Sequence, residues 1–390
     1  MSQTVLLTLG RLPKALELAR ALYGAGCRVL VAEPFDRHLT GASRAVDRSF
    51  MVSAPAQHRA RYLDEMLEII ERERVELVLP VSEEILYVSL LHGRLPRETR
   101  LFSMSTSNLL SIYDKHGFVA RCREAGVAAP TTFELGDAGA HELAAHSATV
   151  IKPIYSCSGR GVEFLAAGAT LPVRTEAAIV QAFVAGELLS TFSVARAGRL
   201  QSTVVYRGVV MQGTVAVCFE RVELSPAVAA WIEKFVAATR FDGFVSFDLI
   251  VDRDGQVWGI ECNPRTTSGI HFVAAADLAR AVLDPALAGE FHYKDARYLQ
   301  QFYPCLTETQ SSIFGKRFAH NLRHLLRARD VSWQANDPWP FISMPWSSWP
   351  IIERAMRAGT SFGEVAMQDF SWPGEVANST EQACQTAVPT

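Results

Sequence analysis

The sequence predicts an α/β fold that begins with a parallel-sheet domain. In the first hundred or so residues, short apolar runs alternate with amphipathic stretches, a spacing typical of strands that alternate with helices. From about residue 105 the pattern changes to shorter strands, a Gly/Ser loop and a hairpin at residues 243–263. With 390 residues, the chain is long enough for two or three domains.

The individual elements follow from the same patterns. Strands are predicted at residues 4–9, 28–32, 49–52, 77–81, 101–103, 131–134 and 149–152. Helices are predicted at residues 13–23, 56–74, 108–125, 225–239, 277–283 and 318–329, the fourth with Ser225 as its N-cap. The Trp/Pro-rich residues 337–350 predict an ordered, irregular segment over the main body, and the polar residues 375–390 predict a flexible tail.

Composition excludes several classes of protein. The net charge is −3 and no long basic run is present, which argues against a nucleic-acid partner. No apolar run reaches membrane-spanning length, and residues 1–10 have the pattern of a first strand and not of a signal peptide. The seven cysteines contain no CxxC pair, which predicts reduced thiols and a cytoplasmic protein. The turn GRLPKA after the first strand has one glycine, which disfavours dinucleotide binding.

The hairpin at residues 243–263 ends in an unusual set of polar side chains. If Asp254 and Gly255 form its two-residue turn, Asp248 lies opposite Glu261, and Asn263 shares their face. Two adjacent carboxylates repel each other unless a cation lies between them, and carboxylate and amide oxygens suit Mg²⁺. The alternative is a solvated face with ordinary cross-strand polar pairs.

A second group of residues could bind phosphate. The loop SCSGRG at residues 156–161 is not a Walker loop, because it lacks the GK[ST] ending, but a flexible glycine turn still offers backbone N–H groups. Lys152 ends the strand before this loop, where its ammonium could contact phosphate oxygens. Alternatively, its side chain extends from the strand end to solvent, and Lys115 allows the same two interpretations.

The order of these elements resembles the ATP-grasp superfamily over residues of about 105 to 276. The matching segments are DK at Asp114 and Lys115, KPIYSCSGRGV at 152–162, QAFVAGE at 181–187, and FDLIVDRDGQVWGIECNPR at 247–265. The resemblance implies a two-lobed ATP-grasp domain of α+β type. It follows an N-terminal parallel-sheet α/β domain and precedes a C-terminal extension.

The resemblance also implies a role for each matching residue. The residues expected to bind ATP are Lys115, Lys152, Ser156, Ser158, Gly159, Gly161, Gln181, Ala182, Phe183, Val184 and Glu187. Gln181 stands where many relatives carry an acidic residue, and the AGE hinge leaves the placing of Glu187 open by one position. Asp248, Glu261 and Asn263 would hold one or two Mg²⁺ ions, for which Mn²⁺ is expected to substitute. Arg265 would be the catalytic residue facing the transferred phosphoryl group.

Substrate contacts are expected at the carboxyl side of these motifs. Thr267, Ser268, Gly269 and His271 would border the substrate. Glu83, at the end of a strand in the first domain, would face the cleft, with Ser82 as the N-cap of the next helix. Cys157 and Cys262 lie within the motifs and are interpreted as small filler side chains.

The predicted organisation has five parts. They are an N-terminal α/β domain at 1–105, an ATP-grasp small lobe at 106–180, a large lobe at 181–290, a Trp/Pro-rich extension at 291–374 and a tail at 375–390. The implied activity is an ATP-dependent carboxylate–amine ligase that forms an acyl phosphate, with small-molecule substrates and a homodimeric assembly. Two alternatives remain: kinase-like phosphoryl transfer to a small molecule, and a non-catalytic ATP-binding regulator.

Overall fold

Three sheets organise the molecule. The computed structural model describes residues 2–155, 159, 161–212, 215–284, 286, 290–302, 318–360, 362–372 and 374. Within these residues there is a five-stranded sheet, a four-stranded sheet and a seven-stranded sheet. The first is entirely parallel, so the predicted α/β class with a parallel N-terminal sheet is confirmed.

The N-terminal sheet has the order β3-β2-β1-β4-β5. Its strands are β1 (Thr4–Leu7), β2 (Arg28–Glu33), β3 (Arg48–Met51), β4 (Leu77–Leu79) and β5 (Arg100–Leu101). Its helices are α1 (Pro13–Gly24), α2 (Arg59–Glu73) and the short α3 (Ile85–Val88). Side chains alternate along β1, so Val5 and Leu7 pack with α1 while Leu6 packs with α2 on the opposite face.

A buried carboxylate occupies the turn between β1 and α1. Glu33 accepts hydrogen bonds from the backbone N–H groups of Gly10 and Arg11 at 2.8 and 2.9 Å. The Arg11 side chain donates to the same carboxylate at 2.7 Å and to Asp369 at 3.1 Å. A dinucleotide phosphate would need these N–H groups, so the turn serves structure here, in agreement with its single glycine.

The predicted helix at residues 108–125 is two helices, α4 (Thr106–Tyr113) and α5 (Lys115–Glu124). Between them, Asp114 is extended (φ −59°, ψ 122°), and its side chain accepts hydrogen bonds from His116 N–H and Gly117 N–H. The prediction of one continuous helix was wrong because Asp114 caps a new helix. This break places Lys115 at the first position of α5.

The small lobe is built on the four-stranded antiparallel sheet, in the order β6-β9-β7-β8. Its elements are β6 (Thr132–Glu134), α6 (Ala138–His146), β7 (Thr149–Pro153), β8 (Glu163–Leu165) and β9 (Ala178–Ala182). The apolar face of the sheet packs on α6 through Ala140, Ala144, Ile151 and Val180. Because side chains alternate along β7, Lys152 lies on the other face.

The large lobe is built on the seven-stranded sheet, in the order β14-β13-β10-β11-β12-β15-β16. Its strands are β10 (Glu187–Arg196), β11 (Arg199–Gln212), β12 (Val215–Val222), β13 (Gly243–Val251), β14 (Val257–Asn263), β15 (Tyr298–Gln300) and β16 (Arg329–Asp330). Its helices are α7 (Pro226–Thr239), which packs under the sheet, and α8 (Ala275–Leu283). The Ser225 hydroxyl caps α7 by accepting from Val228 N–H at 3.3 Å, as predicted.

Among the described residues, the C-terminal extension adds two strands to the large-lobe sheet and four helices, the last two of which pack on the N-terminal domain. Its helices are α9 (Phe318–Arg327), α10 (Trp339–Ile342), α11 (Met344–Ala358) and α12 (Phe362–Gln368). Leu16, Phe35 and Leu39 form one apolar cluster with side chains of α11 and α12. The segment at residues 337–350 therefore packs on the main body, as predicted, but the expectation of irregular structure in it was wrong, because most of it is helical. The predicted tail at 375–390 lies outside the described residues.

Two further expectations concern cysteines and membranes. Cys27, Cys122, Cys218 and Cys262 are free and buried, whereas Cys157, Cys305 and Cys384 lie outside the described residues. Among the helices that the structure describes, none combines the length and the apolar character that a bilayer span requires.

Candidate functional site

The hairpin of β13 and β14 pairs Asp248 with Glu261, as predicted. The predicted turn was wrong by one residue: Asp252 N–H donates to the Gln256 carbonyl, so residues 253–255 form a three-residue turn with Gly255 in the left-handed region (φ 79°). A β-bulge between Asp248 and Leu249 adds one residue to β14 and restores the pairing. The two carboxylates therefore face each other across the strands.

Asp248 is held by a third strand. The Ser190 hydroxyl on β10 donates to Asp248 Oδ1 at 2.6 Å, and the two residues are directly paired. Burial and the adjacent Glu261 carboxylate raise the pKa of Asp248 to about 6. Two carboxylates in this arrangement favour a bound cation, which would remove the repulsion that raises the pKa.

Two buried lysines lie above this carboxylate pair. Lys115 Nζ is 4.0 Å from Glu261 Oε1 and donates to the Ile154 carbonyl at 3.5 Å. Lys152 Nζ donates to Gln181 Oε1 at 2.8 Å. Burial lowers the pKa of Lys152 to about 8, with Glu261 acting against this shift and Lys115 in the same direction. Two ammonium groups so close to each other suit an anionic ligand.

Gln181 positions the Lys152 side chain. Its side chain is 2 % exposed, accepts from Lys152 and donates from Nε2 to Thr132 Oγ1 at 3.0 Å. A glutamate at this position would form an ion pair with Lys152, whereas the neutral amide leaves the ammonium charge for another partner. With Gln181 in place of the expected acidic residue, Lys152 keeps a hydrogen-bond partner but its charge is not neutralised.

Arg265 lies between the β13–β14 hairpin and the N-terminal domain. Its guanidinium donates from one nitrogen to Asn263 Oδ1 at 2.9 Å and to Glu83 Oε1 at 3.0 Å. Glu83 is 1 % exposed and contacts Arg265 in this structure. The predicted N-cap at Ser82 was wrong, because α3 begins only at Ile85 and the Ser82 hydroxyl accepts from Lys14 Nζ at 2.9 Å.

The glycine loop is described only in part. Gly159 and Gly161 have φ angles of 68° and 72°. Ser156, Cys157 and Ser158 lie outside the described residues. Their predicted roles therefore stay predictions.

The hinge between the lobes leaves a backbone donor for a ligand. Ala182 N–H and Phe183 N–H donate to the carbonyls of Thr131 and Ala148. In the described part of the chain, Val184 N–H has no backbone acceptor. Within the predicted adenine segment, Val184 is therefore the residue whose N–H could bind a base edge.

Glu187 begins β10 and forms an ion pair with Arg207 at 2.5 Å. Both side chains are about half exposed, so the pair is weak and solvent-accessible. Sugar hydroxyls could therefore replace Arg207 as the partner of Glu187 with little loss of interaction free energy.

In the predicted substrate segment, residues 267–269 contact the large-lobe sheet and Gln301, whereas His271 lies at a separate cavity. The Thr267 hydroxyl bonds to Ser246 and donates to the Thr191 carbonyl, and Ser268 accepts from Gln301 at 2.9 Å. Gly269 packs against Phe192 and Tyr206. His271 is buried and bonds to Glu17 of α1 at 3.0 Å, on the side of a separate cavity.

Sequence reasoning missed several residues that contact predicted site residues or their neighbours. They are Ser190, Lys14, Gln301, Glu17 and Lys294. None of them has a local signal, because each contact joins distant segments, and Ser190 would follow only from the pairing of β10 with β13.

The oxygen donors fit Mg²⁺ by their chemistry. Asp248 and Glu261 supply carboxylates and Asn263 supplies an amide oxygen, all hard ligands. Among the described residues, no group of three or more His, Cys, Asp and Glu side chains could hold a metal ion, so a bound Mg²⁺ would depend on the amide and on ligand oxygens. Cys262 points away from this face, is 1 % exposed and packs in the core under the sheet.

A family model matches the central part of this chain. The model of the ATP-grasp domain covers residues 112–269, a range that includes Lys115, Lys152, the β13–β14 hairpin and Arg265. Residues 112–269 therefore match an ATP-grasp domain. No curated protein sequence matches the chain at a significant level.

Solved structures show the same fold at low identity. The biotin carboxylase domain of Hydrogenobacter thermophilus 2-oxoglutarate carboxylase has a TM-score of 0.60 and 14% identity, covering 75% of this chain and 71% of that one. Staphylococcus aureus N5-carboxyaminoimidazole synthetase has a TM-score of 0.61 and 11% identity, and the match covers 80% of this chain and 86% of that one. The L-amino acid ligase of Bacillus licheniformis has a TM-score of 0.56 and 13% identity, and the match covers 73% of this chain and 74% of that one.

Proposed function

We propose that the protein is an ATP-dependent ligase that activates a small carboxylic or amino acid as an acyl phosphate and joins it to an amine. ADP and phosphate are released. The observation that supports this most directly is the grouping of Lys115 and Lys152 over the Asp248–Glu261 pair, with Lys115 Nζ 4.0 Å from Glu261 Oε1. Cations above and paired carboxylates below form a site for a metal-bound polyphosphate.

Each part of the nucleotide has a candidate contact. Lys115 and Lys152 would bind phosphate oxygens, and the loop at residues 156–161 would cover them. Val184 N–H would bind the adenine edge, and Glu187 would exchange Arg207 for the ribose hydroxyls. Asp248, Glu261 and Asn263 would hold one or two Mg²⁺ ions, which supply charge neutralisation at the phosphates.

Arg265 is the candidate catalytic residue. Its guanidinium is adjacent to Asn263, so it would face the phosphoryl group that moves to the substrate carboxylate. In that step the carboxylate oxygen bonds to the γ-phosphorus while the bond to the ADP oxygen breaks. The amine nitrogen then bonds to the acyl carbon, phosphate leaves, and the nitrogen loses its proton. A closed glycine loop would keep water from the intermediate.

The named relatives support the class of reaction and leave the substrates open. They include a carboxylase domain crystallised with MgADP and bicarbonate, a synthetase and an amino acid ligase. The carboxylase domain is a dimer, which supports a homodimer for this chain. Use of Mn²⁺ in place of Mg²⁺ and a cytoplasmic location complete the proposal.

The test is a screen for ADP release with Mg²⁺-ATP, a panel of carboxylates and hydroxylamine as a surrogate amine. Hydroxylamine converts an acyl phosphate to a hydroxamate, so the natural amine need not be known. We expect ADP and hydroxamate together with at least one carboxylate. ADP without hydroxamate would favour phosphoryl transfer to another acceptor, and absence of ADP release with every acid would contradict the ligase proposal.

A further inference from the structure

A cavity lies between α1, the segment that carries His271, and the β15–β16 edge of the large-lobe sheet. Its volume is about 350 Å³, and its lining includes Glu17 of α1, His271, Lys294, Leu299 of β15 and Asp330 of β16. None of the proposed phosphate or metal ligands lines it. This volume lies at the lower end of the range of pockets that bind small molecules.

One buried nitrogen in this cavity has no partner. His271 is 1 % exposed, its Nδ1 lies 3.0 Å from Glu17 Oε2, and its Nε2 has no hydrogen bond in the structure as described. Lys294 Nζ contacts the other oxygen of Glu17 at 2.5 Å. A buried polar atom that lacks a partner is uncommon, because its desolvation is not compensated.

The protonation of this triad makes Nε2 an acceptor. Although burial opposes ionisation, Lys294 and His271 lower the pKa of Glu17 to about 2, so its carboxylate is ionised. Burial lowers the pKa of His271 despite Glu17, so the imidazole is neutral at pH 7. Nδ1 then donates to Glu17, and the Nε2 lone pair remains for an N–H or O–H donor.

The rest of the lining carries charges of both signs. Arg329 and Asp295 line the cavity from exposed positions, and neither forms an ion pair within the described ranges. Asp330 accepts from the backbone N–H groups of Ser332 and Phe302. Trp333 adds an apolar wall. A cationic group beside an anionic group suits a zwitterion with one carboxylate and one ammonium.

We propose that this cavity binds the amine substrate, a small zwitterion of the α-amino acid class, whose ammonium donates to His271 Nε2 and whose carboxylate faces Arg329. The assignment as substrate rests on the proposed ligase function. Helix α1 connects the cavity with the proposed catalytic residue: Glu17 lines the cavity, and Lys14, about one turn earlier, donates to the Thr266 carbonyl beside Arg265 at 3.0 Å. One helical turn is about 5 Å long.

Binding can be measured without ATP. Thermal shifts of the full chain would be recorded with each of the twenty common amino acids and with their N-acetyl derivatives, which lack the ammonium. Calorimetry would then give the Kd of the most stabilising compound. We expect at least one amino acid to raise the melting temperature and its N-acetyl derivative to have no effect.

Variants test whether His271 and Arg329 bind the amino acid. His271→Asn keeps a donor near Glu17 but removes the Nε2 acceptor, and should weaken binding about tenfold or more. His38→Asn is the matched control, since His38 is also buried but both its ring nitrogens have partners, Ser49 and Gly41. Arg329→Ala, at an exposed position, should weaken binding of the amino acid and leave folding intact.

Three results would overturn the proposal. They are no shift with any amino acid, equal binding of the N-acetyl derivatives, and unchanged affinity in both His271→Asn and Arg329→Ala. Conjugate formation, detected by mass spectrometry with Mg²⁺-ATP and the carboxylate panel, tests the substrate role. Binding without conjugates in protein that does form hydroxamates would overturn that role. Binding in protein that forms no hydroxamate would place the failure in the ligase proposal instead.

Discussion

Glu83 and Arg265 form an almost buried ion pair that joins the N-terminal domain to the ATP-grasp domain. Arg265 Nη2 lies 3.0 Å from Glu83 Oε1, with the side chains 10% and 1% exposed. The same nitrogen donates to Asn263 Oδ1, a proposed metal ligand. A carboxylate from the segment between β4 and α3 therefore sets the position of the proposed catalytic guanidinium.

This relationship predicts a catalytic effect of Glu83→Gln. The amide keeps an acceptor for Arg265 but removes the charge, so we expect kcat to fall about tenfold or more while the Kd for ATP changes little. Glu83→Ala should also destabilise the fold by about 3–5 kcal/mol, because the buried Glu83–Arg265 ion pair would be broken. Steady-state kinetics and denaturant unfolding test both, with the exposed Glu98→Gln as control. Normal kcat in Glu83→Gln would contradict the positioning role.

Asp248→Asn and Glu261→Gln should each abolish turnover without unfolding the protein. Both changes keep the size of the side chain and remove a charge that a hard cation requires. ADP release and circular dichroism would be measured together. Asp254→Asn, in the exposed turn of the same hairpin, should retain full activity. Near-normal turnover in both site variants would refute the metal assignment.

Lys152→Ala should weaken ATP binding by about tenfold to a hundredfold, because a buried ammonium close to phosphate oxygens is lost. Calorimetry with ADP, which the enzyme does not turn over, measures this change in nucleotide affinity. Lys234→Ala on the exposed face of α7 is the control for loss of a positive charge. Unchanged nucleotide affinity in Lys152→Ala would argue that this lysine is only structural.

The metal-free protein should show a pH dependence that originates at Asp248. The folded pKa of about 6 lies above the ordinary value of 3.8, so the folded state holds the proton more tightly than the unfolded state. The contribution of Asp248 to stability therefore falls as the pH rises from about 4 to about 6. The difference in melting temperature between the wild type and Asp248→Asn should change across this window. A constant difference would show that the carboxylate is not perturbed.

The affinity for Mg²⁺ should also depend on pH between about 4 and 6, but it should rise as the pH rises. The metal binds the ionised carboxylate, so its affinity should fall by up to about tenfold per pH unit below pH 6. Titration calorimetry with MgCl₂ at several pH values measures this. A pH-independent affinity would place the metal elsewhere.

Glu33→Gln should destabilise the protein by about 3–5 kcal/mol without affecting ATP binding directly. Glu33 is fully buried, and its loss of charge leaves Arg11 in the core beside a neutral amide. Urea unfolding of this variant and of the exposed Glu68→Gln would give the difference. Equal stability of the two variants would show that the network around Arg11 contributes little.

Local patterns predicted most of the elements that form the site. The alternation in β13 and β14 placed Asp248, Glu261 and Asn263 on one face, because side-chain direction along a strand has a period of two residues. The predicted pairing of Asp248 with Glu261 was confirmed even though the turn was wrong, because the β-bulge offsets the longer turn. Neither the bulge nor the break at Asp114 has a reliable signal in the apolar pattern.

The sequence by itself determined which residues lie together within one hairpin, one loop or one helix turn, because those contacts depend on spacing along the chain. Tertiary structure decided the rest. The contacts of Glu83 with Arg265, Glu17 with His271, and Arg11 with Asp369 join residues separated by 182, 254 and 358 positions. No backbone periodicity extends over such distances. These pairs form only when packing of the sheets and helices brings their side chains into the same buried space, where an unpaired charge would be costly.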